Sequence, residues 1–369
     1  MGNLIIGMGN TGTQIVKAAA ESKILNDTEM FVIDSVTSNV DMDSVTRIKS
    51  IPIVSDEKCG SGRSRERGRA MFEHHDALGD LEPLYEAAKK ALSPVVIITS
   101  SAGGTGSGST PALCEKLIAN GVIPIPIIVC PSLQDPQAWH LNTNDLMLEL
   151  EEVGKQTPNG AFTYTIFRNE YGKVNYTEIN NDVVTLIEII FGKRYEATKT
   201  DDIDASDLDT ILSVPGRFIA TTAAADTPEQ LARIVTQKVL TGHQPAWTTE
   251  EAERTTMMKA YALTSPFATD DFETVFANIN ERIPHSFDEY RNVNNKDGRC
   301  YATIIIAGLP RVELQNVDAE FMGANSIGDG VHKSSRPAFL QKKGTVRTSS
   351  STGKDKPAIF KQFDVKSVK

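Results

Sequence analysis

Two glycine-rich segments of this 369-residue chain each lie between a predicted strand and a predicted helix, where proteins commonly bind phosphate groups. The first, GMGNTG at residues 7–12, follows a short apolar run. Glycines let the chain turn sharply and let backbone amides approach a phosphate without interference from a Cβ atom. The N-terminus of the following helix adds partial positive charge. We therefore predict a phosphate-binding turn here, with a glycine turn that binds no ligand as the alternative.

Asp34 supports one specific interpretation of this first segment. It ends the second predicted strand, 22 residues after Gly12. That spacing matches the acidic residue that binds the ribose in dinucleotide-binding folds. An NAD-dependent dehydrogenase is therefore the first hypothesis that the GxGxxG pattern favours.

The second glycine-rich segment favours a different class of ligand. Residues 99–111, TSSAGGTGSGSTP, follow the strand-like run VVIIT and hold four glycines and five hydroxyl-bearing residues within ten positions. Backbone amides and hydroxyls at this density can surround several phosphate oxygens at once. A dinucleotide site needs one phosphate loop, so two loops indicate a longer phosphate chain. The segment is not a P-loop, because the lysine of GxxxxGK[ST] is absent.

The motif AGGTGSG at residues 102–108 resembles the signature loop GGGTG[ST]G of the tubulin/FtsZ superfamily, with Ala102 replacing the first glycine. The surrounding SAGGTGSGSTPAL is most similar to the plasmid- and phage-encoded TubZ and PhuZ branch. Residues 9–14 are similar to the first phosphate loop of the superfamily, and residues 60–62, with Gly68-Arg69 after them, to the loop near the γ-phosphate. The resemblance implies that GTP or GDP, with Mg²⁺, is bound by Gly9, Asn10, Thr11, Gly12, Gln14, Gly60, Ser61, Gly62, Ala102, Gly103, Gly104, Thr105, Gly106, Ser107 and Gly108.

Residues that bind the base are expected on the sixth strand and on the helix that follows it. Asn169 ends that strand, and Tyr176 and Asn180 are four residues apart, which places both on one helix face. Tubulin-like proteins use a Tyr/Phe-x-x-x-Asn pair of this kind to stack on guanine and to hydrogen-bond to it. The resemblance further implies that Asp135 binds the ribose and that Asp182 is an additional contact. Without the phosphate loops, Tyr176 and Asn180 would be assigned to an ordinary helix surface.

The acidic segment at residues 202–207, DIDASD, occupies the place of the NxDxxD catalytic loop of the superfamily. Asp202 replaces the asparagine, whereas Asp204 and Asp207 match the two aspartates. A carboxylate can orient a water molecule in line with the γ-phosphate, and this is the catalytic role that the resemblance implies. In the superfamily this loop completes the site of the neighbouring subunit, so hydrolysis requires head-to-tail assembly. From the residues alone, a solvated acidic loop or a helix cap is the alternative.

The elements that must position these residues alternate between strands and helices. Short Val/Ile-rich runs predict buried strands at 4–6, 30–33, 51–54, 95–98, 123–129 and 162–167. Apolar periodicity predicts helices at 14–22, 65–75, 81–92, 111–120 and 176–190. An α+β pattern follows, with strands at 217–221, 258–263 and 301–307 and helices at 228–240 and 270–282.

This order predicts an α/β fold in which a Rossmann-like parallel-sheet GTPase domain is joined by a central helix to a smaller α+β activation domain, as the tubulin/FtsZ resemblance also implies. We expect the nucleotide-binding domain at 1–173 and the central helix at 174–199. The acidic loop at 200–212 and the second domain fill 200–309. We expect an irregular segment and a basic, largely disordered tail at 310–369.

Charge is unevenly distributed along the chain. The net charge is −10, yet residues 333–369 carry ten Lys/Arg and two acidic residues, a net of +8, which leaves −18 on residues 1–332. The acidic body argues against direct nucleic-acid binding, whereas the tail is expected to bind a DNA-binding adaptor or DNA, or to be only a solubilising appendage. No apolar stretch is long enough to span a membrane, no secretory signal is recognised, and no CxxC pair indicates zinc. We expect a cytoplasmic protein.

These features predict a GTPase that polymerises head-to-tail into dynamic filaments, hydrolyses GTP at the subunit interface and segregates or positions plasmid or phage DNA in the cytoplasm of a bacterial host. One alternative is a cell-division ring protein of FtsZ type. It is favoured because Pro310 and glycines at 323, 328 and 330 interrupt the long C-terminal helix typical of TubZ-like proteins. The NAD-dependent dehydrogenase is the alternative from another class.

Overall fold

A ten-stranded sheet organises the computed structural model, which describes residues 2–39, 47–55, 60–91, 94–132, 134–168, 176–192, 205–244, 257–265, 268–281, 286–294 and 299–309. The strands of these described residues are β1 (Leu4–Met8), β2 (Glu29–Asp34), β3 (Ile48–Pro52), β4 (Val95–Ser100), β5 (Pro124–Cys130), β6 (Thr163–Arg168), β7 (Gly216–Ala225), β8 (Met257–Ser265), β9 (Ser286–Asn294) and β10 (Cys300–Leu309). The order across the sheet is β3-β2-β1-β4-β5-β6-β7-β10-β8-β9.

Helices connect most of these strands. In the described part of the chain they are α1 (Gly9–Glu21), α2 (Arg65–Leu78), α3 (Glu82–Lys90), α4 (Thr105–Ala119), α5 (Gln137–Gly154), α6 (Tyr176–Ile190), α7 (Ala205–Leu212), α8 (Pro228–Thr241) and α9 (Ala268–Asn280), with a 3-10 turn at Thr37–Asn39. All of these elements belong to one compact unit.

Strands β1 to β6 pair in parallel, and helices cover both faces of this part of the sheet. Successive side chains of a strand point to opposite faces, so Ile5 joins an apolar cluster with α1, α6 and α7. Leu4 and Ile6 join a second cluster with α2, α3, α4 and α5. Each of these side chains is at most 1% exposed, and burial stabilises the fold by roughly 1.5–3 kcal/mol per side chain.

The second part of the sheet is mixed. Strand β7 pairs in parallel with β6, β10 lies antiparallel between β7 and β8, and β8 pairs in parallel with β9. Phe218 of β7 belongs to the cluster with α6 and α7, whereas Ile219 packs with α8 and α9. The two parts therefore share one continuous sheet, with α6 and α7 packed against the strand at which they meet.

The structure confirms the predicted strands, and the helices at α2, α3, α6, α8 and α9, within a few residues of their expected bounds. Helix α1 begins at Gly9 and α4 at Thr105, so parts of both glycine-rich segments are helical rather than loop. The expected acidic loop at 200–212 is wrong in its second half, because residues 205–212 form α7. Helix α5 and strand β9 are additions to the predicted elements. Residues 310–369, including the predicted basic tail, lie outside the described residues.

Candidate functional site

A cavity of about 780 Å³ lies at the carboxyl edge of the parallel strands. This is the position at which open α/β sheets bind their ligands, because loops leave successive strands there. The ends of β1, β2, β4 and β5, residues 60–63 and the first turn of α6 line the cavity. The predicted site residues that it brings together are Gly9, Asn10, Thr11, Gln14, Gly60, Ser61, Gly62, Ala102, Gly103, Gly104, Thr105, Gly106, Asp135, Tyr176 and Asn180.

Two helix N-termini open onto this cavity. Helix α1 begins at Gly9, whose φ of +68° is in the left-handed region, and α4 begins directly after Gly104. No side chain caps either N-terminus, and neither first turn contains an acidic residue. The first backbone amides of each helix therefore lack an intrahelical acceptor and favour a bound anion. A Cβ atom built on Gly103 would meet nothing within 4 Å, so there is open space beside the α4 N-terminus.

Three predicted site residues lie near the cavity but do not line it. A Cβ on Gly12 would lie 2.5 Å from the Ile98 carbonyl oxygen, so Gly12 lets α1 pack directly on the sheet. A Cβ on Gly108 would lie 2.1 Å from the Arg65 carbonyl oxygen, so Gly108 sets the approach of α2 to α4. Ser107 donates its hydroxyl hydrogen bond to the Gly103 carbonyl oxygen. For these three, the structure shows a role in packing and in bracing the loop.

A buried cluster of three hydroxyls joins the loops around the cavity. Ser35 Oγ and Thr105 Oγ1 are 2.6 Å apart, and Thr105 donates a 3.0 Å hydrogen bond to Ser61 Oγ. The Ser61 backbone amide in turn donates to Ser35 Oγ at 3.2 Å. The cluster ties the end of β2 to the 60–62 loop and to the α4 N-terminus. Ser35 was not among the predicted residues, and the signal for it is its position directly after a buried strand.

Helix α5 contacts the 60–63 loop and the glycine-rich segment before α4. The Asn142 amide lies within 3.2 Å of the Arg63 carbonyl oxygen, 3.0 Å of that of Ala102 and 3.4 Å of that of Gly103. The Arg63 guanidinium lies over the Trp139 ring, 4.0 Å from its centroid. Arg63 and Trp139 also line the cavity. The sequence contains no local signal for these contacts, because α5 begins more than 70 residues after Arg63.

Two carboxylates line the cavity and are already hydrogen-bonded. Asp34, 2% exposed, accepts hydrogen bonds from the Val36 amide and, at 2.8 Å, from the Asn39 side chain. Burial raises the pKa of the Asp34 carboxyl above its usual range, although these hydrogen bonds oppose the shift. Asp135 accepts a 2.7 Å hydrogen bond from the Ser132 amide, which holds it at the end of β5.

Cys130, at the end of β5, also lines the cavity. Burial raises the pKa of its thiol, with a hydrogen bond from Ser101 opposing the shift. The thiol therefore stays protonated near neutral pH and is a poor nucleophile. Nothing in this arrangement resembles an activated nucleophile, so covalent catalysis by Cys130 is not supported.

The remaining predicted residues lie away from the cavity or outside the described residues. Asp182 contacts His243 Nδ1 at 2.7 Å instead of lining the cavity. Asn169, Asp202 and Asp204 fall outside the described residues. Asp207 lies in the first turn of α7.

Helix α7 is anchored at the far end of α6. A Cβ on Gly192, just after α6, would lie 3.4 Å from Leu208 Cδ1 of α7. The first residues of α6, by contrast, line the cavity. A 15-residue helix rises about 20 Å, so the end of α6 against which α7 packs is separated from the cavity of its own chain by the length of α6.

Among the described residues, no group of three or more His, Cys, Asp or Glu side chains is arranged to hold a metal ion. No helix among them is long and apolar enough to cross a membrane.

No protein-family model matches the sequence, and no curated protein matches it. Solved structures do match. CetZ from Methanosaeta thermophila strain DSM 6194 has a TM-score of 0.67 and 18% identity, over 88% of this chain and 91% of CetZ. TubZ of Bacillus thuringiensis serovar israelensis, solved as a GTPγS-form protofilament, has a TM-score of 0.65 and 18% identity, over 87% and 92%. FtsZ of M. jannaschii, solved as an empty dimer, has a TM-score of 0.64 and 15% identity, over 86% and 91%.

These likenesses confirm the predicted fold. The chain has the α/β fold of tubulin/FtsZ superfamily structures, and the match spans most of each chain. The three TM-scores differ by only 0.03, so the fold does not single out the TubZ branch that the sequence motif favours.

Proposed function

We propose that this protein binds GTP in the cavity, assembles head-to-tail into filaments and hydrolyses GTP at the interface between subunits. The observation that carries the proposal is the meeting of two uncapped helix N-termini in one cavity at the carboxyl edge of the sheet. Two such N-termini suit a chain of phosphates better than a single anion. The 780 Å³ cavity is also large enough for a nucleotide.

The residues that line the cavity fit the parts of GTP. Amides at the starts of α1 and α4, with the hydroxyls of Thr11 and Ser61, would hold the phosphates. Tyr176, 60% exposed at the cavity, offers its ring for stacking on guanine, and Asn180 offers its amide to the base. Asp135 would bind the ribose. Mg²⁺, when bound, would neutralise phosphate charge and be held mainly by phosphates and water, since no protein cage for it is seen among the described residues.

Head-to-tail assembly would explain the distance between the cavity and α7. Helix α7, whose first turn contains Asp207, packs at the Gly192 end of α6, about 20 Å along α6 from the cavity. A carboxylate there cannot orient water in its own chain's cavity, but it can do so in the cavity of the next subunit. Such a heterologous contact repeats without closing and therefore builds a filament. TubZ of Bacillus thuringiensis, which has a similar fold, forms a protofilament with GTPγS.

We further propose segregation or positioning of plasmid or phage DNA in the cytoplasm of a bacterial host as the cellular role. Support comes from the TubZ-like motif SAGGTGSGSTPAL and from the tail charge of +8, which suits DNA or a DNA-binding adaptor. A division-ring role of FtsZ type is the second candidate, since FtsZ of M. jannaschii is nearly as similar in fold. Salt-sensitive DNA or adaptor binding that is lost on removal of residues 333–369 would favour the first role.

The dehydrogenase alternative depends on Asp34 and is not favoured by the geometry. The sheet order β3-β2-β1-β4-β5-β6 is compatible with a dinucleotide-binding fold. The Asp34 carboxylate, however, is buried and already accepts hydrogen bonds from Val36 and Asn39, which leaves fewer of its lone pairs for a ribose hydroxyl.

Light scattering separates these classes of function. The purified chain with Mg²⁺ should scatter light after addition of GTP, lose that signal as GTP is consumed, and show no response to GDP or NAD. Electron microscopy with a slowly hydrolysed GTP analogue should show filaments. Assembly with NAD, or none with GTP, would refute the proposed function.

A further inference from the structure

Arg63 carries the only cationic side chain among the described residues that line the cavity. The lining carboxylates are those of Asp34 and Asp135. Backbone amides can solvate phosphate oxygens, but they supply only partial charges. A full positive charge in such a site is therefore the strongest single attraction for an additional phosphate group.

The backbone at Arg63 is held in an unfavourable conformation. Its φ is +62°, and it is the only non-glycine residue with positive φ in the described part of the chain. A β-carbon is disfavoured in this region, and glycine would adopt it without strain. The contacts that hold Arg63 there are the hydrogen bond from Asn142 to its carbonyl oxygen and the stacking of its guanidinium on Trp139. Both partners come from α5, so this helix fixes the side chain at the cavity wall.

The position of Arg63 is at the phosphate end of the cavity. Helix α6, which carries the expected base contacts Tyr176 and Asn180, packs on one face of the sheet, whereas α2, α4 and α5 pack on the other. The Arg63 backbone touches the N-terminus of α4: a Cβ on Gly104 would lie 2.6 Å from its carbonyl carbon. A nucleotide with its base at α6 therefore extends its phosphates across the sheet edge toward Arg63.

We propose that Arg63 binds the terminal phosphate and makes the site prefer GTP to GDP. This inference rests on the proposed function, since it presumes a guanine nucleotide in the cavity. A guanidinium can donate two parallel hydrogen bonds to a phosphate. Its planar group makes no hydrogen bond to any residue that the structure describes, so its donors are available for a ligand. Stacking on Trp139 limits its rotamers, which lowers the entropy lost when a phosphate binds.

The test compares dissociation constants for GTP and GDP, measured with the full chain and Mg²⁺ at protein concentrations below those that assemble. Arg63→Asn removes the charge and suits the left-handed backbone. We expect it to weaken GTP binding about tenfold or more and GDP binding less than about threefold. Arg63→Lys keeps the charge without the planar fork, so its GTP affinity should lie between those of wild type and Arg63→Asn. Arg67→Gln, on α2 and outside the cavity lining, removes the same charge and should preserve the wild-type ratio.

Each outcome either supports or overturns the proposed role of Arg63. Equal losses for GTP and GDP, or no loss for either, would overturn the role of Arg63 while leaving the proposed function in place. Wild-type protein that binds neither nucleotide would overturn both. If Arg63→Asn unfolds at a much lower temperature than wild type, Arg63→Gly serves for the same comparison because glycine tolerates this backbone.

Discussion

Gly103 and Gly104 are adjacent in the sequence but meet different surroundings. A Cβ on Gly103 would face open space, whereas one on Gly104 would lie 2.5 Å from Ser61 Oγ and 2.7 Å from the Ser64 amide nitrogen. Backbone atoms cannot move aside as a flexible side chain can. Gly104 is therefore required for two loops to approach one another, while Gly103 keeps the cavity open.

This difference predicts that Gly104→Ala and Gly103→Ala will behave differently. We expect Gly104→Ala to lower the free energy of unfolding by about 1–3 kcal/mol because the 60–64 loop must shift. The shift should also weaken GTP binding. Gly103→Ala is the matched control and should change the free energy of unfolding by less than about 0.5 kcal/mol. Urea denaturation of both variants makes the comparison, and equal destabilisation would contradict it.

Asp34 predicts a pH dependence of stability. Burial raises the pKa of this carboxyl above its usual value, so the folded protein binds a proton there more tightly than the unfolded chain does. By linkage, the protonated Asp34 carboxyl contributes to the free energy of unfolding at low pH, and wild-type protein loses that contribution as pH rises through the folded-state pKa. Asp34→Asn cannot titrate. The free energy of unfolding of Asp34→Asn minus that of wild type should therefore increase from about pH 4 to about pH 7. Denaturation across this range measures it, and a flat or falling difference would be inconsistent with a raised pKa.

At the scale of elements, the contact between α2 and α4 positions the 60–64 loop beside the glycine-rich segment at the N-terminus of α4. Glycines lie at the crossing on both helices: a Cβ on Gly68 would lie 2.3 Å from the Gly104 carbonyl oxygen, and one on Gly108 would lie 2.1 Å from that of Arg65. Ser109 also donates a 3.0 Å hydrogen bond to the Gly68 carbonyl oxygen. The Arg65 guanidinium bridges Ser107 and Glu149 of α5. The three helices thus form a single support for the phosphate side of the cavity.

Gly108→Ala should separate α2 from α4, although Gly108 does not line the cavity. Because the nearest atom is a backbone carbonyl oxygen, we expect a loss of about 2 kcal/mol or more in the free energy of unfolding. GTP binding should weaken as well, since α2 carries the 60–64 loop at its N-terminus. Thermal unfolding and nucleotide titration measure the two effects. A wild-type unfolding temperature together with wild-type GTP affinity would show that α2 and α4 can move apart without loss of stability or binding.

The sequence identifies elements well where apolar runs are continuous or periodic. Strand β1 and helix α6 are examples, because burial on a sheet face or along a helix face requires such patterns. Strand β9, SFDEYRNVN, has few apolar residues, and it lies at the edge of the sheet, where one side of a strand can remain polar. Helix α4 begins in a run of Gly and Ser with low helix propensity, and packing against α2 overrides that propensity.

The candidate site residues also fall into two groups, those that the sequence predicts and those that it does not. Gly103, Thr105 and Tyr176 could be predicted because they belong to local motifs on the sheet edge or on one helix face. Arg63 and Asn142 could not, because the contact between them depends on how α5 packs beside residues far away in the sequence. Local spacing in the sequence predicts which residues face a ligand. Contacts between elements that are distant in the sequence, such as that of Asn142 with Arg63, depend on the tertiary fold.

At the scale of the whole molecule, α6 separates the two halves of the proposed active site. The cavity lies at its first turn, and α7, which contains Asp207, packs at its other end. In the proposed filament, one subunit contributes the nucleotide and the next contributes the carboxylates. Loss of turnover from a defect in either half should be complemented by a subunit that is defective only in the other half.

Mixing two defective variants tests this division. Asp207→Ala, or Asp204→Ala, should bind GTP and assemble but hydrolyse it about a hundredfold more slowly, because the water is no longer oriented. Asn180→Ala should bind GTP weakly and keep its aspartates. If both variants enter the filaments equally, about a quarter of the interfaces in an equal mixture join an intact cavity to intact aspartates, so phosphate release should rise well above the sum of the separate rates. Each variant should also be measured alone at the total protein concentration of the mixture. All of these measurements should use GTP concentrations at which the cavity of Asn180→Ala is largely empty. A rate equal to that sum would mean that the aspartates serve only their own chain or play no part in hydrolysis.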